Sequence, residues 1–384
     1  MRRLYEQKIK EYLGVKYAFT FWKGRVALFA ILKAIGIGIG DEVILPGFTC
    51  IVVPSAIKYL GAKPVYVDID LRTYNVDTSK IEESITGRTK AIIAQNTFGL
   101  SSDLDFLSGI ARRYNLKLIE DCAHGLGGKY KGRKNGTVAD AAFFSTQWSK
   151  PFSTGLGGIA VTNNPEIGER LGEDLKSYLD PSLKEKMLLK GLLISYDCFM
   201  KPHIYWSLLR SYRFLSKRGI IIGSSSSHEL EKPLKPEGFE KKLTNFQAGV
   251  GIRAFNRMDE NISHRRKVAK EYDTLLAILG IPTPFIPDGI EHSFLRYPLL
   301  VNDKNAVLKL AEEERIEIGD WFISPLHPVE DGLSKWDYEQ GMCPVAEYVS
   351  QHIINLPTHS GVVGKELERI KSFVIKLNKM GMFI

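Results

Sequence analysis

The 384-residue sequence has only four cysteines, Cys50, Cys122, Cys198 and Cys343, with no CxxC pair and no regular spacing. That pattern argues against a disulfide scaffold or a zinc site and fits a reducing compartment. No run reaches the ~18 uninterrupted apolar residues of a membrane span. The N-terminal MRRLYEQKIKEYLGVKY has charges but no long apolar core behind them, so no signal peptide is expected and a cytoplasmic location is. Internal repeats are missing, as is low complexity beyond the serine run at 224–227. Acids are scarce in one place. Residues 181–220 hold eight Lys/Arg against Glu185 and Asp197, a difference of +6 within a formal charge of +8. The basic excess is a patch, and no aromatic-interleaved motif accompanies it, so no nucleic-acid partner is expected. What remains is ordinary globular composition, 44% hydrophobic and 25% charged, in a chain long enough for two lobes.

The first half alternates strand and helix signals. A short amphipathic helix at about 4–13 precedes KYAFTF. RVALFAILKAIGIGIG is apolar on nearly every side and reads as a buried helix stopped by glycines. DEVILPG, KPVYVDID, TKAIIAQN, LKLIEDC, AAFFST and GGIAVTN read as strands; CIVVPSAIKYLGA, SKIEESIT and LDFLSGIARRYN read as helices. This order predicts an α/β fold with a mixed, mostly parallel sheet flanked by helices. Residues 181–240 break the pattern with two helix-like pieces around Pro202 and a loop. A long helix is expected from about 244, followed by strands and amphipathic helices of a smaller α+β lobe. The expected division is a large domain over 1–245, carrying a helical insert at about 181–240, and a small C-terminal domain over 246–384.

In open sheets of this kind ligands gather at the carboxyl ends of the strands. Three segments converge there. Glu120 and Asp121 end the apolar strand LKLI; Gly24 precedes the buried helix, whose free N–H groups make an anion site; Ser145 and Lys150 follow the strand AAFF. A carboxylate, a helix N-terminus and an interior lysine are what pyridoxal phosphate requires. Each residue also has a plainer reading. Lys150 could be a solvated loop lysine, Asp121 a helix cap, His124 a satisfied interior histidine and Ser145 a local backbone partner.

Six ordered pieces carry a resemblance: GIGIGDEVILPGFT, LGAKPVYVDIDLRTYNVD, RTKAIIAQNTFG, LIEDCAHGLGGKYKGRKNG, FSTQWSKPFSTGLGGIAVTN and CPVAEYVSQHIINLPTH. The chain resembles the DegT/DnrJ/EryC1/StrS family of PLP-dependent sugar aminotransferases, of fold type I architecture. The resemblance implies Lys150 as the Schiff-base lysine and Asp121 as partner of the pyridine nitrogen. His124 would lie near the ring hydroxyl, Ser145 and Gly24 at the phosphate. The family's Ser-Gly-Thr turn reads Lys23-Gly24-Arg25 here, which puts Arg25 forward as a phosphate ligand. Cys50 stands where the stacking aromatic usually does, and Lys242 where an asparagine reaches the partner subunit's phosphate. Arg296 adjoins Leu295, at the position of a substrate-side histidine. No metal is implied.

The implied activity is transfer of an amino group from glutamate or glutamine to a keto-sugar, expected to be nucleotide-linked, in surface polysaccharide or glycoconjugate biosynthesis. The implied assembly is a homodimer with shared sites. Two alternatives accompany it: a PLP-dependent sugar dehydratase, against which Lys150 itself argues because histidine replaces it there, and a non-catalytic PLP-binding sensor or scaffold. The 181–220 insert reads as a dimer-interface or lid element, or as a peripheral membrane contact.

Overall fold

The computed structural model describes residues 1–199 and 227–384, so the expected helical piece at 204–215 lies outside the described residues. Fourteen strands are described: β1 (Tyr17–Phe21), β2 (Glu42–Pro46), β3 (Thr49–Cys50), β4 (Lys63–Val67), β5 (Thr89–Gln95), β6 (Lys117–Asp121), β7 (Lys129–Tyr130), β8 (Arg133–Lys134), β9 (Ala141–Ser145), β10 (Gly158–Thr162), β11 (Ile290–Glu291), β12 (Tyr297–Leu300), β13 (Leu326–His327) and β14 (Ile353–Leu356). The main sheet has seven of them, in the order β1-β10-β9-β6-β5-β2-β4. Only β10 runs against the other six. The sheet is therefore mixed and mostly parallel, as the alternating pattern predicts.

Helices α1 (Arg2–Leu13), α2 (Gly24–Ala34), α3 (Val52–Lys58), α4 (Leu104–Arg113), α5 (Pro165–Ser177) and α6 (Leu183–Phe199) belong to this half. α2 is buried at nine of its eleven positions, and its apolar residues form one core with Val43, Leu45, Ile93 and Ile119 of the sheet. A helix apolar on all sides can only lie inside, so α2 is fixed against the sheet with its N-terminus at the strand ends. There it meets the ends of β5, β6 and β9. Topology alone thus brings Gln95, Asp121, Ser145 and Gly24 to one edge.

Two expectations fail locally. SKIEESIT forms two 3₁₀ turns, Thr78–Lys80 and Glu82–Ser84, in place of an α-helix. Asp77 caps the first, Ile81 between them is buried, and Ile85 is already extended, which leaves too few residues for a helix to overcome its nucleation cost. The long helix from 244 is two helices, Asn245–Phe255 and Met258–Leu279. The first opens on a capping box between Thr244 and Gln247, and the pair break at Asn256–Arg257.

A second core, with Tyr272, Tyr297, Ile354, Phe373 and Leu377, fills the space between the β12–β14 antiparallel pair and the helices Met258–Leu279, Lys304–Glu313 and Lys365–Lys379. Its connections to the main sheet are polar and specific. Asp68 accepts from the Val345 and Ala346 N–H groups at 3.1 and 3.0 Å, capping the helix Pro344–His352. β13 pairs in parallel with β3, so His327 lies opposite Cys50. The buried Lys304 ammonium donates to the carbonyls of Asp320, Phe322 and Ser350 at 3.0, 2.9 and 2.9 Å. Those contacts hold Trp321 and Phe322 over the strand ends of the large sheet.

Candidate active site

The strand ends open into a cleft lined among others by Lys23, Gly24, Arg25, Cys50, Asp121, His124, Ser145, Lys150 and Phe322. Six of the seven residues singled out from sequence therefore meet in one place. Lys242 does not: it pairs by an isolated bridge with Phe21 at the end of β1, and its ammonium donates to the Lys176 carbonyl at 3.0 Å.

Lys150 sits in the turn after β9, its N–H donating to the Gln147 carbonyl at 3.0 Å. Its Nζ lies 4.8 Å from the centre of the Trp321 ring and makes no hydrogen bond among the described residues. Burial, with Arg296 adding to it, lowers its pKa from 10.5 to about 8, against the pull of Cys50 and Asp121. Asp121 ends β6. One oxygen accepts from the Ala123 N–H at 2.9 Å, while burial raises its pKa from 3.8 to about 6 despite Lys150.

His124 is buried in an aromatic stack, 5.3 Å from Trp321 and 6.0 Å from Phe322 with ring planes 13° and 17° apart. Its Nδ1 accepts from the Phe98 N–H at 3.3 Å. Burial, Lys150 and Arg296 push its pKa well below 6.5, so the ring is neutral. With Nδ1 accepting, the proton is on Nε2, which makes His124 a donor.

At the opposite end of the cleft, α2 begins without a side-chain cap. A Cβ on Gly24 would come within 3.1 Å of Ser145 Cβ, and one on Gly158 would fall 2.3 Å from the Lys23 carbonyl. The two glycines let β10, Ser145 and the helix N-terminus close on each other, leaving backbone N–H groups at the surface of the cleft. Lys23 and Arg25 flank this cradle. Arg25 Nη1 pairs with Glu229 at 2.6 Å and Lys23 Nζ with the same carboxylate at 3.7 Å. Burial and Arg25 lower the Lys23 pKa to about 8, with Glu229 opposing.

Three contributions are not evident from sequence. Glu229 lies 204 positions from Arg25 in a segment that reads as a loop. Trp321 and Phe322 come from the C-terminal half, with no local motif around them. Lys23 is visible as a departure from Ser-Gly-Thr but not as a buried cation. Arg296 stacks its guanidinium 5.1 Å from the Trp321 ring centre, 3.8 Å from Glu317. These residues fit pyridoxal phosphate: an amine of depressed pKa, a carboxylate with an unbonded oxygen, a neutral histidine donor and a basic glycine-lined helix end.

Comparison with known proteins agrees. The model of the DegT/DnrJ/EryC1/StrS aminotransferase family matches residues 2–185 and 207–374. GDP-perosamine synthase of Caulobacter vibrioides is 31% identical over 375 residues, covering 95% of this chain and 87% of its own length. dTDP-3-amino-3,6-dideoxy-alpha-D-galactopyranose transaminase of Aneurinibacillus thermoaerophilus is 30% identical over 367 residues, covering 95% and 87%. Among solved structures, a DegT DnrJ EryC1 StrS aminotransferase from Brucella abortus superimposes with a TM-score of 0.75 at 24% identity, covering 98% of this chain and 90% of that one. NtdA from Bacillus subtilis, with bound cofactor PMP, gives 0.74 at 24% identity, covering 98% and 77%. The architecture is that of fold type I aminotransferases, and the cofactor is pyridoxal phosphate. The chain belongs to the DegT/DnrJ/EryC1/StrS aminotransferase family.

Proposed function

We propose that this aminotransferase moves an amino group from glutamate or glutamine to a nucleotide-linked keto-sugar, in surface polysaccharide or glycoconjugate biosynthesis. The carrying observation is that the Lys150 amine and the Asp121 carboxylate share one cleft with the uncapped N-terminus of α2. The two curated relatives, named for a GDP-linked and a dTDP-linked amino sugar, support the substrate class. When bound, pyridoxal phosphate supplies an electrophilic aldehyde and an electron-accepting ring. Lys150 would hold the group through its nucleophilic amine and, as a free amine, would carry a proton at Nζ. Asp121 would keep the pyridine nitrogen protonated. His124 would donate from Nε2 to the ring oxygen, and Ser145, Gly24, Lys23 and Arg25 would hold the phosphate. Trp321 and Phe322 wall off water, and Arg296 is placed to take an acidic group of the substrate.

Lys242, outside its own cleft, is assigned to the phosphate of a second copy in a homodimer with shared sites. The separate second core, which begins at Val268, supports a large and a small domain, whereas the expected boundary at 245/246 falls short of it, because the helix Asn245–Phe255 packs on α1 through Phe255 and Ala248, Met258 and Ile262 share the large domain's core. A cytoplasmic site of action accords with substrates of this class.

Borohydride reduction of the holoenzyme followed by peptide mapping should place the cofactor on Lys150. A panel of nucleotide-linked keto-sugars, offered with ¹⁵N-glutamate and ¹⁵N-glutamine, should yield a labelled amino sugar by mass spectrometry. A label on another lysine removes the assignment of Lys150; no labelled product from any member removes the substrate class.

A further inference from the structure

Helix α6 has two apolar faces, and among the described residues only one of them has a protein partner. On the inner face Leu189 and Leu193 are 1% and 5% exposed, packed with Trp22 and Leu156, and Leu156 itself lines the active-site cleft. On the outer face Leu183, Met187 and Ile194 are 73%, 66% and 51% exposed. At ~100° per residue these three fall within an arc of about 40°. Lys184 stands on one flank of that stripe, Lys186 and Lys190 on the other.

The charges around the stripe are arranged one way. The acid of the helix, Glu185, points inward: its carboxylate pairs with Lys241 at 2.7 Å and accepts from the Ser182 N–H at 2.8 Å. Asp180 lies 4.0 Å from Arg2. Lys184 and Lys186 have no carboxylate partner among the described residues, and Lys190 lies 5.7 Å from the Phe246 ring centre. The sequence continues the trend, with a net +6 over 181–220.

We propose that the outer face of α6 docks this enzyme on an anionic lipid surface, lying in the plane of the interface. An apolar stripe rimmed on both sides by lysines matches acyl chains below and anionic headgroups beside them, the lysine stems reaching up past the stripe. A second copy of the same face fits poorly, because a two-fold contact would set one lysine row against another. Crossing the bilayer is also a poor fit: no helix among the described residues is long and apolar enough for it.

Flotation of the full-length holoenzyme tests the proposal without recourse to turnover. It should rise with vesicles of phosphatidylcholine plus phosphatidylglycerol, stay behind with phosphatidylcholine alone, and be released by high salt. Leu183→Gln/Met187→Gln/Ile194→Gln should lower the bound fraction about tenfold or more. Lys184→Glu/Lys186→Glu should remove the preference for anionic vesicles, with far-ultraviolet circular dichroism and cofactor absorbance unchanged in both variants. A wild-type protein that stays behind with both vesicle types refutes the proposal. So does a triple variant that floats undiminished, or one that turns a dimer into a monomer, which would make the face a contact between copies.

Discussion

Replacing Lys150 by methionine should make the cofactor-free protein more stable at neutral pH, because its ammonium is held where water is scarce. The fall from 10.5 to about 8 is mainly a burial effect. It would be worth about 3 kcal/mol for a fully enclosed charge, and about 1–2 kcal/mol here, since the side chain is only half-buried. The sign follows from linkage. The folded pKa lies below the unfolded one, so between pH 8 and 10.5 the unfolded chain binds more protons and the wild type gains stability as pH rises. The penalty is complete below pH 8 and gone above 10.5. Urea melts of cofactor-free wild type and Lys150→Met at pH 7.0 and 9.5 should therefore show the variant ahead at pH 7.0 and the gap narrowing at 9.5. The same shift bears on chemistry. At pH 7 an amine of pKa about 8 is roughly one-tenth deprotonated, against about one part in 3,000 at the ordinary value. A gap that is absent, or that does not change with pH, would mean the amine is solvated, and the rationale for its reactivity would fail.

Asp121→Asn should still bind the cofactor, as seen by absorbance, while single-turnover amine transfer falls about 10²–10³-fold. Lys304→Met frees the Asp320 and Phe322 carbonyls; kcat/KM should drop about tenfold with cofactor occupancy intact, and Lys304→Arg should restore most of it. Binding of pyridoxine 5′-phosphate, which lacks the aldehyde, should take up protons at pH 8 as the phosphate raises the Lys23 pKa from about 8. Calorimetry in buffers of different ionisation heat measures that uptake, and Lys23→Met should reduce it.

The parts of the fold legible in the sequence are those in which one segment contains its own reason. RVALFAILKA is apolar on all sides, so α2 must be interior, and GGIAVTN and LKLIED read as strands because their neighbours are turns. The residues at the strand ends follow from that order, which is why Lys150, Asp121, His124, Ser145, Gly24 and Arg25 fall together. Contacts made at long range leave no local trace. Glu229 is one of three acids in a polar run, with Glu231 and Glu237, and nothing local marks it as the partner of Arg25, 204 positions away. The Trp321–Phe322 wall depends on Lys304 and on β13 meeting β3, both of which couple distant segments. The break at Asn256–Arg257 was equally hidden, since both halves keep helical spacing across it.

The electrostatics of the cleft make one pattern of these separate shifts. Lys23 and Lys150 are pulled down to about 8, Asp121 is pushed up to about 6 and His124 is held neutral, and in each case burial is the leading cause. Every group is therefore biased away from its charged form by a cavity that has removed water without supplying a full set of counter-charges. Glu229 answers part of the cationic end, but one carboxylate is shared between Lys23 and Arg25. A phosphate dianion at the helix end would favour the charged lysine, and a pyridinium beside Asp121 would favour the carboxylate. The cofactor would bring opposite charges to the two ends that need them, so ordering of the site and binding of the cofactor become one equilibrium. Cys50 fits this division. It lines the cleft together with Phe322, while at the other end this chain has replaced the Ser-Gly-Thr hydroxyls with Lys23 and Arg25.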